Sequence, residues 1–216
     1  MKKLIATLLI LAMALGLVGC GNSLGDIEME PGQNAIYIKD DGTITYGACE
    51  TFKEKYYNED QLKNNIEKEI ADFNESTASV ADAAELDDFD VKDEVATCTI
   101  DFITVYDFLA YMLTYNNLGD KNFYIGPISE NENAKIKGKF KKVDAEDHTL
   151  SRDTVKAKFI KKLNKKILIV KGAYQVQVDG DILYVSDNCT MNEDGVVTTD
   201  AKKNKKSYVV YNIEED

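Results

Sequence analysis

Apolar residues recur at helical spacing in the stretch that follows Asn58. They lie three or four residues apart, which is the period of one face of a helix: Leu62, Ile66, Ile70 and Phe73. Asn58 can accept a hydrogen bond from the first turn, and Gln61 can return one to its backbone. The pattern predicts an amphipathic helix over 59–73.

Two later stretches also have helical features. Thr104 and Asp107 have the spacing of a capping box, and a run rich in Tyr and Leu follows them to about Leu118. Because this run is apolar on nearly all sides, it predicts a buried helix. A third helix is predicted over 151–163, where apolar residues recur at every fourth position, although the alternation in VKAKF leaves a strand open there.

Three Asp-Gly pairs separate alternating apolar runs and predict β-hairpins, because Gly readily adopts the dihedral angles of a tight turn. The pairs are Asp41-Gly42, Asp179-Gly180 and Asp194-Gly195. Further apolar runs predict strands over 96–102, 167–170, 174–178, 182–185 and 208–213. Together the elements predict an α+β fold, a mostly antiparallel sheet built from hairpins with two or three helices.

The first twenty residues have the three parts of an export signal. Lys2 and Lys3 form the positive end, an apolar segment runs from Leu4 to Leu15, and small residues follow. The apolar segment is shorter than the roughly 20 residues that a membrane-spanning helix needs. This order predicts a cleaved signal peptide rather than a permanent span.

The signal ends in Leu17-Val18-Gly19-Cys20, which resembles the lipobox of bacterial lipoproteins. The resemblance implies that residues 1–19 are removed and that diacylglycerol is attached to the Cys20 thiol. Two or three acyl chains anchor a protein stably, so we expect a location on the extracytoplasmic face of the cell membrane. The alternative is an ordinary signal peptide with an unrelated cysteine at its end.

The segment after the signal has little apolar periodicity. Residues 20–34 contain Pro31-Gly32, and we expect them to form a lipidated, flexible tether. An extracytoplasmic α+β domain is expected over 35–216, with a possible subdivision near 117–133, where the periodicity weakens.

Charge is unevenly distributed along the 197 residues that would remain after cleavage. They hold 24 basic and 38 acidic residues, a net charge of −14, which argues against nucleic acid as a partner. Residues 20–133 carry 7 lysines and 25 acidic residues, whereas residues 134–216 carry 17 basic and 13 acidic residues. The acidic sequence AELDDFDVKDE, at 84–94, is expected to be a solvated loop.

The basic half contains an alternating run of lysines: Lys135, Lys137, Lys139 and Lys141. On a strand these side chains would share one face. They could then contact anionic lipid headgroups or wall polymers. The alternative is that they protect an edge strand from unwanted pairing.

Residues that could carry catalysis or bind metals are sparse. Lipidation of Cys20 would leave Cys49, Cys98 and Cys189, an odd number without CxxC spacing, so no disulfide framework is predicted, although one pair could still bridge. His148, the only histidine, lies in a polar run and is expected at the surface. No spacing indicates a zinc, calcium or nucleotide site. We therefore expect no catalytic residue, metal or cofactor.

Several segments resemble lipoproteins of low-GC Gram-positive bacteria: the lipobox, YYNEDQLKNNIEKEIADFN, DILYVSDNCTM and YVVYN. The resemblance implies an extracytoplasmic location and an α+β fold, and it carries no catalytic residues. We therefore expect a non-catalytic module that binds an envelope protein or polymer. The alternative is a cell-wall or glycan hydrolase that uses paired carboxylates. A solute receptor of a transporter usually needs two lobes and a longer chain.

Overall fold

The computed structural model describes residues 23–115, 123–130, 135–200 and 205–213. Within these ranges the chain forms fifteen strands and three α-helices, which confirms the predicted α+β class. The strands are β1 (Ser23–Leu24), β2 (Ile27–Glu28), β3 (Asn34–Ile38), β4 (Ile44–Thr51), β5 (Ala84–Lys92), β6 (Val95–Phe102), β7 (Tyr124–Pro127), β8 (Lys139–Val143), β9 (Leu150–Lys156), β10 (Lys166–Val170), β11 (Tyr174–Val178), β12 (Asp181–Ser186), β13 (Thr190–Met191), β14 (Val197–Thr198) and β15 (Ser207–Asn212). The helices are α1 (Glu59–Ser76), α2 (Val105–Tyr115) and α3 (Ala157–Ile160), and a 3₁₀ turn spans Ile128–Glu130.

Most strands belong to two large sheets. The first has seven strands in the order β13-β14-β11-β3-β4-β6-β5, and the second has six in the order β7-β10-β15-β12-β8-β9. Among the described strand pairs, β3 and β11 alone are parallel, with Asn34 opposite Tyr174. The β1–β2 hairpin is separate from both sheets.

The main core lies between the two sheets, because each sheet presents an apolar face to the other. Ile36 and Ile38 of β3 point into this core from the seven-stranded sheet, and Leu168 and Val170 of β10 point into it from the six-stranded sheet. These residues occupy alternate positions, as the two-residue period of a strand requires.

The six-stranded sheet also has an apolar outer face. Ile167 and Ile169 of β10 belong to a second cluster on that face. Ile160 of α3 and Ile136, which precedes β8, pack in the same cluster. Because β10 is buried on both faces, its sequence is apolar without alternation.

Helix α1 confirms the prediction made from its apolar spacing. The Asn58 side chain accepts a hydrogen bond from the Gln61 backbone N–H at 2.8 Å, and the helix continues past the predicted end to Ser76. Ile70 and Phe73 are buried in the main core. Among the described helices, none is both long and apolar enough to cross a membrane.

Helix α2 begins where its capping pattern predicts, since the Thr104 hydroxyl accepts a hydrogen bond from the Asp107 N–H at 3.0 Å. It spans Val105–Tyr115, and the predicted end near Leu118 lies outside the described residues. The expectation of a buried helix is correct for Phe108, Tyr111 and Met112 and wrong for the opposite side, where Tyr106 is 66% exposed and Leu113 is 41% exposed. The sheet covers only one side of the helix, so apolar residues on the other side meet solvent.

The third predicted helix is wrong for most of its length. Residues 150–156 form β9, and only 157–160 are helical. Phe140 of β8 pairs with Val155, so hydrogen bonding to the neighbouring strand prevails over a weak helical period. The strand alternative suggested by VKAKF is correct up to Lys156.

Two of the three predicted hairpins are present. Ile38 pairs with Ile44 across the first turn, and Met191 pairs with Val197 across the third. The second is wrong, because β11 and β12, on either side of Asp179-Gly180, belong to different sheets. A Cβ atom on Gly180 would overlap the Asn212 carbonyl oxygen, so glycine permits this close crossing from one sheet to the other.

The described part of the predicted tether is folded onto the domain. Residues 23–28 form the β1–β2 hairpin, in which Leu24 and Ile27 are buried. The prediction of a flexible tether is therefore wrong from Ser23 onward. Two isolated apolar residues are too few to reveal a periodicity, although they are enough to bury a two-residue strand pair.

Two predictions about the middle of the chain are also wrong. The acidic sequence over 84–94 forms β5 and its turn to β6. Acidic residues are tolerated in this strand because it lies at the edge of the sheet and its outward residues meet solvent. No subdivision follows 117–133, since β11, β13 and β14 join the same sheet as β3 to β6. The main core includes residues from both halves of the chain.

Candidate functional site

A polar cleft of about 340 Å³ lies on the outer face of the seven-stranded sheet. We call it the outer cleft, and its lining includes Leu24, Met29, Tyr37, Lys39, Thr45, Asp87, Asp88, Thr97, Thr99 and Asp101. Ile100 and Phe102 of β6 point into the main core. The intervening positions of the strand, Thr99 and Asp101, therefore face the cleft.

The floor of the outer cleft is both polar and buried. Thr45, Thr97 and Thr99 are 1%, 4% and 6% exposed. The Thr45 hydroxyl donates a hydrogen bond to Asp101, and the Thr99 hydroxyl donates one to Asp87 at 2.9 Å. A buried hydroxyl is unfavourable unless it is hydrogen-bonded, so these bonds explain how the sheet tolerates a polar floor.

Negative charge exceeds positive charge around the outer cleft. Asp87, Asp88 and Asp101 contribute carboxylates, and Lys39 opposes them with its Nζ 3.5 Å from Asp101 Oδ1. Tyr37 donates a hydrogen bond to Asp179 at 2.6 Å, and this bond, together with burial, raises the pKa of Tyr37 to about 12. The phenol thus stays protonated at neutral pH. A cleft rich in carboxylate oxygens suits a ligand with hydroxyl or ammonium donors.

One wall of the outer cleft is the β1–β2 hairpin. Leu24 and Ile27 pack against Ala35 of the sheet. The Asp26 N–H donates to Gln177 Oε1 at 2.8 Å, and Gln177 Nε2 donates to Asp26 Oδ2 at 2.6 Å. This reciprocal pair fixes the hairpin on β11, so the wall is an ordered part of the domain.

The structure separates the four lysines that were predicted to share a strand face. Lys139 and Lys141 lie in β8, whereas the first two lysines of the run precede the strand. Strand β8 lies between β9 and β12, so the alternative of an edge-strand guard is wrong. Lys135 and Lys137 instead line a groove together with lysines that precede β15.

The three remaining cysteines are not prepared for nucleophilic chemistry. Cys49, Cys98 and Cys189 are free thiols in the described part of the chain. Burial raises the pKa of all three, and that of Cys98 reaches about 11. The thiolate is the reactive form, so only a small fraction of each cysteine is reactive at neutral pH. Cys98 is half-buried in β6.

His148 has a structural position between two turns. It is half-exposed rather than fully at the surface, its Nδ1 lies 2.8 Å from the Glu193 carbonyl oxygen, and its ring lies against Gly195. Sequence analysis did not anticipate that His148 and Cys189 line the same cavity. Cys189 is buried, however, with its Sγ 3.3 Å from the Ser186 hydroxyl. The histidine thus joins the β8–β9 turn to the β13–β14 turn.

Neither a metal site nor a relative assigns a ligand to the outer cleft. Among the described residues, no group of three or more His, Cys, Asp or Glu side chains is arranged to hold a metal ion. No protein-family model, curated protein or solved structure matches the chain. The chemistry of the cleft therefore has to be inferred from its own residues.

The lining residues of the outer cleft were missed by sequence analysis. A signal was present in β6, since the alternation that places Ile100 in the core also places Thr99 and Asp101 on the other face. The β1–β2 hairpin, which covers the cleft, has no comparable pattern in its sequence. Without it, the threonines would be read as an ordinary solvated sheet face.

Proposed function

We propose that the protein is a lipid-anchored lipoprotein of the extracytoplasmic membrane face that binds an envelope component in its outer cleft, without catalysis. The observation that carries the proposal is the export signal ending in Leu17-Val18-Gly19-Cys20. Its resemblance to a lipobox assigns the diacylglycerol to Cys20. Two or more acyl chains give stable anchoring.

The position of the outer cleft supports this proposal. Ser23 begins β1 and lines the cleft, and it follows Cys20 by three residues. Three residues reach at most about 10 Å. A lipid on Cys20 would therefore hold one wall of the cleft close to the bilayer, where it could meet ligands presented at the membrane surface.

The ligand class follows from the donors and acceptors of the cleft. Asp87, Asp88 and Asp101 outnumber Lys39, and the threonine hydroxyls beneath them can donate or accept. A ligand that combines an ammonium group with several hydroxyls satisfies both features. Amino sugars are the simplest compounds with that chemistry.

Lipidation is tested by feeding cells a fatty-acid analogue and comparing the wild type with Cys20→Ser. We expect the variant to lose the label completely, because a hydroxyl cannot replace the thiolate in the thioether-forming step. Cys49→Ser is the matched control and should keep its label. A labelled Cys20→Ser protein would show that the anchor has been misassigned.

Binding is tested by titrating the protein with glucosamine and with glucose. Glucosamine should bind more tightly, and Asp88→Asn should reduce the difference, because it removes one exposed carboxylate from the cleft rim. Asp153→Asn, an exposed substitution in β9, is the control. Equal binding of the two sugars by all three proteins would refute the proposed ligand class.

The same carboxylates favour a second candidate function, hydrolysis of a glycan. Retaining and inverting glycosidases place two carboxylates about 5–10 Å apart on either side of the scissile bond, and the outer cleft gathers three. Envelope glycans incubated with the wild type should then gain reducing ends, and Asp101→Asn should abolish this gain. Binding without any gain in reducing ends would leave the non-catalytic function.

A further inference from the structure

A second cavity, of about 360 Å³, is lined by four lysines: Lys135, Lys137, Lys205 and Lys206. We call it the basic groove. Asp187 is the one acidic residue among its described lining residues. Four positive charges thus face one negative charge, in a chain whose net charge is −12.

Buried serines fix one side of the basic groove, where β12 ends and β15 begins. Ser186 and Ser207 are 2% and 0% exposed. The Tyr208 N–H donates to Ser186 Oγ at 2.9 Å, and Asn188 Nδ2 donates to Ser207 Oγ at 2.8 Å. The backbone that carries Lys205 and Lys206 is therefore held beside the end of β12.

The other side is the segment that leads into β8. Ile136 is 3% exposed in the outer cluster of the six-stranded sheet, and its neighbours Lys135 and Lys137 are exposed. The Tyr208 hydroxyl donates to the Lys135 carbonyl oxygen at 3.4 Å. Burial of Ile136 thus anchors the two lysines that face the groove.

Lys205 of the basic groove forms an ion pair at the surface. Lys205 Nζ lies 3.4 Å from Asp187 Oδ1, but both side chains are exposed, and such surface pairs contribute little. Burial and the neighbouring Lys171 lower the pKa of Lys206. Four lysines line the groove beside one carboxylate, so a bound anion would offset their positive charge.

We propose that the basic groove binds the phosphate groups of a soluble, extended polyanion. Lysine ammonium groups act as point charges, and they bind phosphate without the bidentate geometry of an arginine fork. Arg152, the only arginine of the chain, lies in β9 and does not line the groove. Several lysines at one groove favour a ligand with several phosphates over a single ion.

The location of the groove favours a polymer over a membrane surface. Tyr208 of the groove belongs to the outer cluster of the six-stranded sheet, whereas the outer cleft lies on the opposite outer face of the fold. If Cys20 carries the anchor, the groove is directed away from the bilayer. This orientation of the groove rests on the proposed function, whereas its charges and contacts do not.

The test is calorimetric titration of the full chain in nonionic detergent with inorganic polyphosphate. Lys137→Gln/Lys205→Gln should weaken binding about 25-fold, from about fivefold for each lysine. Lys63→Gln/Lys68→Gln is the matched control, since it removes two exposed lysines from α1. The control should bind polyphosphate like the wild type. Added salt should strongly weaken the binding of polyphosphate by the wild type and by the control.

Three results would overturn the proposal: no binding of polyphosphate by the wild type, equal weakening in both double variants, or displacement of polyphosphate by low concentrations of an anionic phospholipid in mixed micelles. The last would assign the groove to membrane headgroups. Melting curves establish whether the variants are folded. If the double variant is unfolded, the single variant Lys137→Gln takes its place, and its expected loss of affinity is about fivefold. None of these results affects the fatty-acid labelling of Cys20.

Discussion

Asp107 is a carboxylate that the protein buries completely at the start of α2. It accepts hydrogen bonds from the Ser79 N–H at 2.6 Å, the Ser79 hydroxyl at 2.8 Å and the Thr104 hydroxyl at 2.6 Å. Burial opposes its ionisation, but these bonds outweigh burial and lower the pKa of the carboxyl. Asp107 thus ties the segment after α1 to the beginning of α2.

Replacement of Asp107 by Asn should destabilise the protein by about 2 kcal/mol or more, because hydrogen bonds to a charged acceptor are lost and an amide cannot accept all three. The pKa of Asp107 is lowered in the folded state, so its contribution is present above the ordinary carboxyl pKa and disappears as the pH falls below about 4. Urea unfolding at pH 7 and pH 3 measures the effect. Asp72→Asn, an exposed change in α1, is the control. A difference between wild type and variant that is equally large at both pH values would contradict this account.

At this scale the sequence predicts local partners and misses distant ones. The spacing of Thr104 and Asp107 is enough to predict the helix cap, because both residues lie in one turn. Ser79 donates to the same carboxylate from a position 28 residues away. That contact depends on how α1 and α2 pack on the sheet, which no local pattern specifies.

Strands are well predicted as elements, whereas their partners are not. Turn residues act locally, so Asp41-Gly42 and Asp194-Gly195 correctly indicate hairpins. The Asp179-Gly180 pair has the same composition, yet β12 pairs with β15 and β8 rather than with β11. Partner choice there is decided by burial between two sheets, and alternation along a single strand carries no information about it.

The β1–β2 hairpin gives a prediction at the scale of elements. Ile27 is fully buried in a small cluster with Leu24, Ala35 and Val196. Ile27→Ala should therefore destabilise the protein by roughly 2–5 kcal/mol through lost burial and a cavity. The neighbouring Glu28→Ala is the control, because Glu28 is exposed. Identical urea midpoints for the two variants would mean that the segment behaves as a tether after all.

Across the whole molecule, the charge division of the sequence has a spatial counterpart. Asp87, Asp88 and Asp101 gather at the outer cleft, and Lys135, Lys137, Lys205 and Lys206 gather at the basic groove. Sequence analysis indicated a basic half and selected two of the four groove lysines. The other two come from a segment about 70 positions later in the chain, so they come together only because β12 pairs with both β8 and β15.

The parallel pair β3–β11 also determines how the chain can fold. Asn34 pairs with Tyr174, 140 positions later, so the centre of the seven-stranded sheet is a contact of very high sequence separation. Closing such a long loop has to precede the stabilisation that it brings, which slows folding. Synthesis of the N-terminal half alone cannot complete this sheet.

A chain truncated after Lys171 should consequently remain protease-sensitive, although it retains β3 to β10. A chain that lacks only residues 214–216 is the control and should resist digestion like the full-length protein. Pulse proteolysis during refolding measures how fast each chain becomes resistant to digestion. If the chain truncated after Lys171 resists digestion, the N-terminal strands form an independent folding unit. Strand β3 thus lacks its neighbour until residues 174–178 have been made, and a channel that accepts only unfolded chains would have that long to engage the protein if it is exported as we propose.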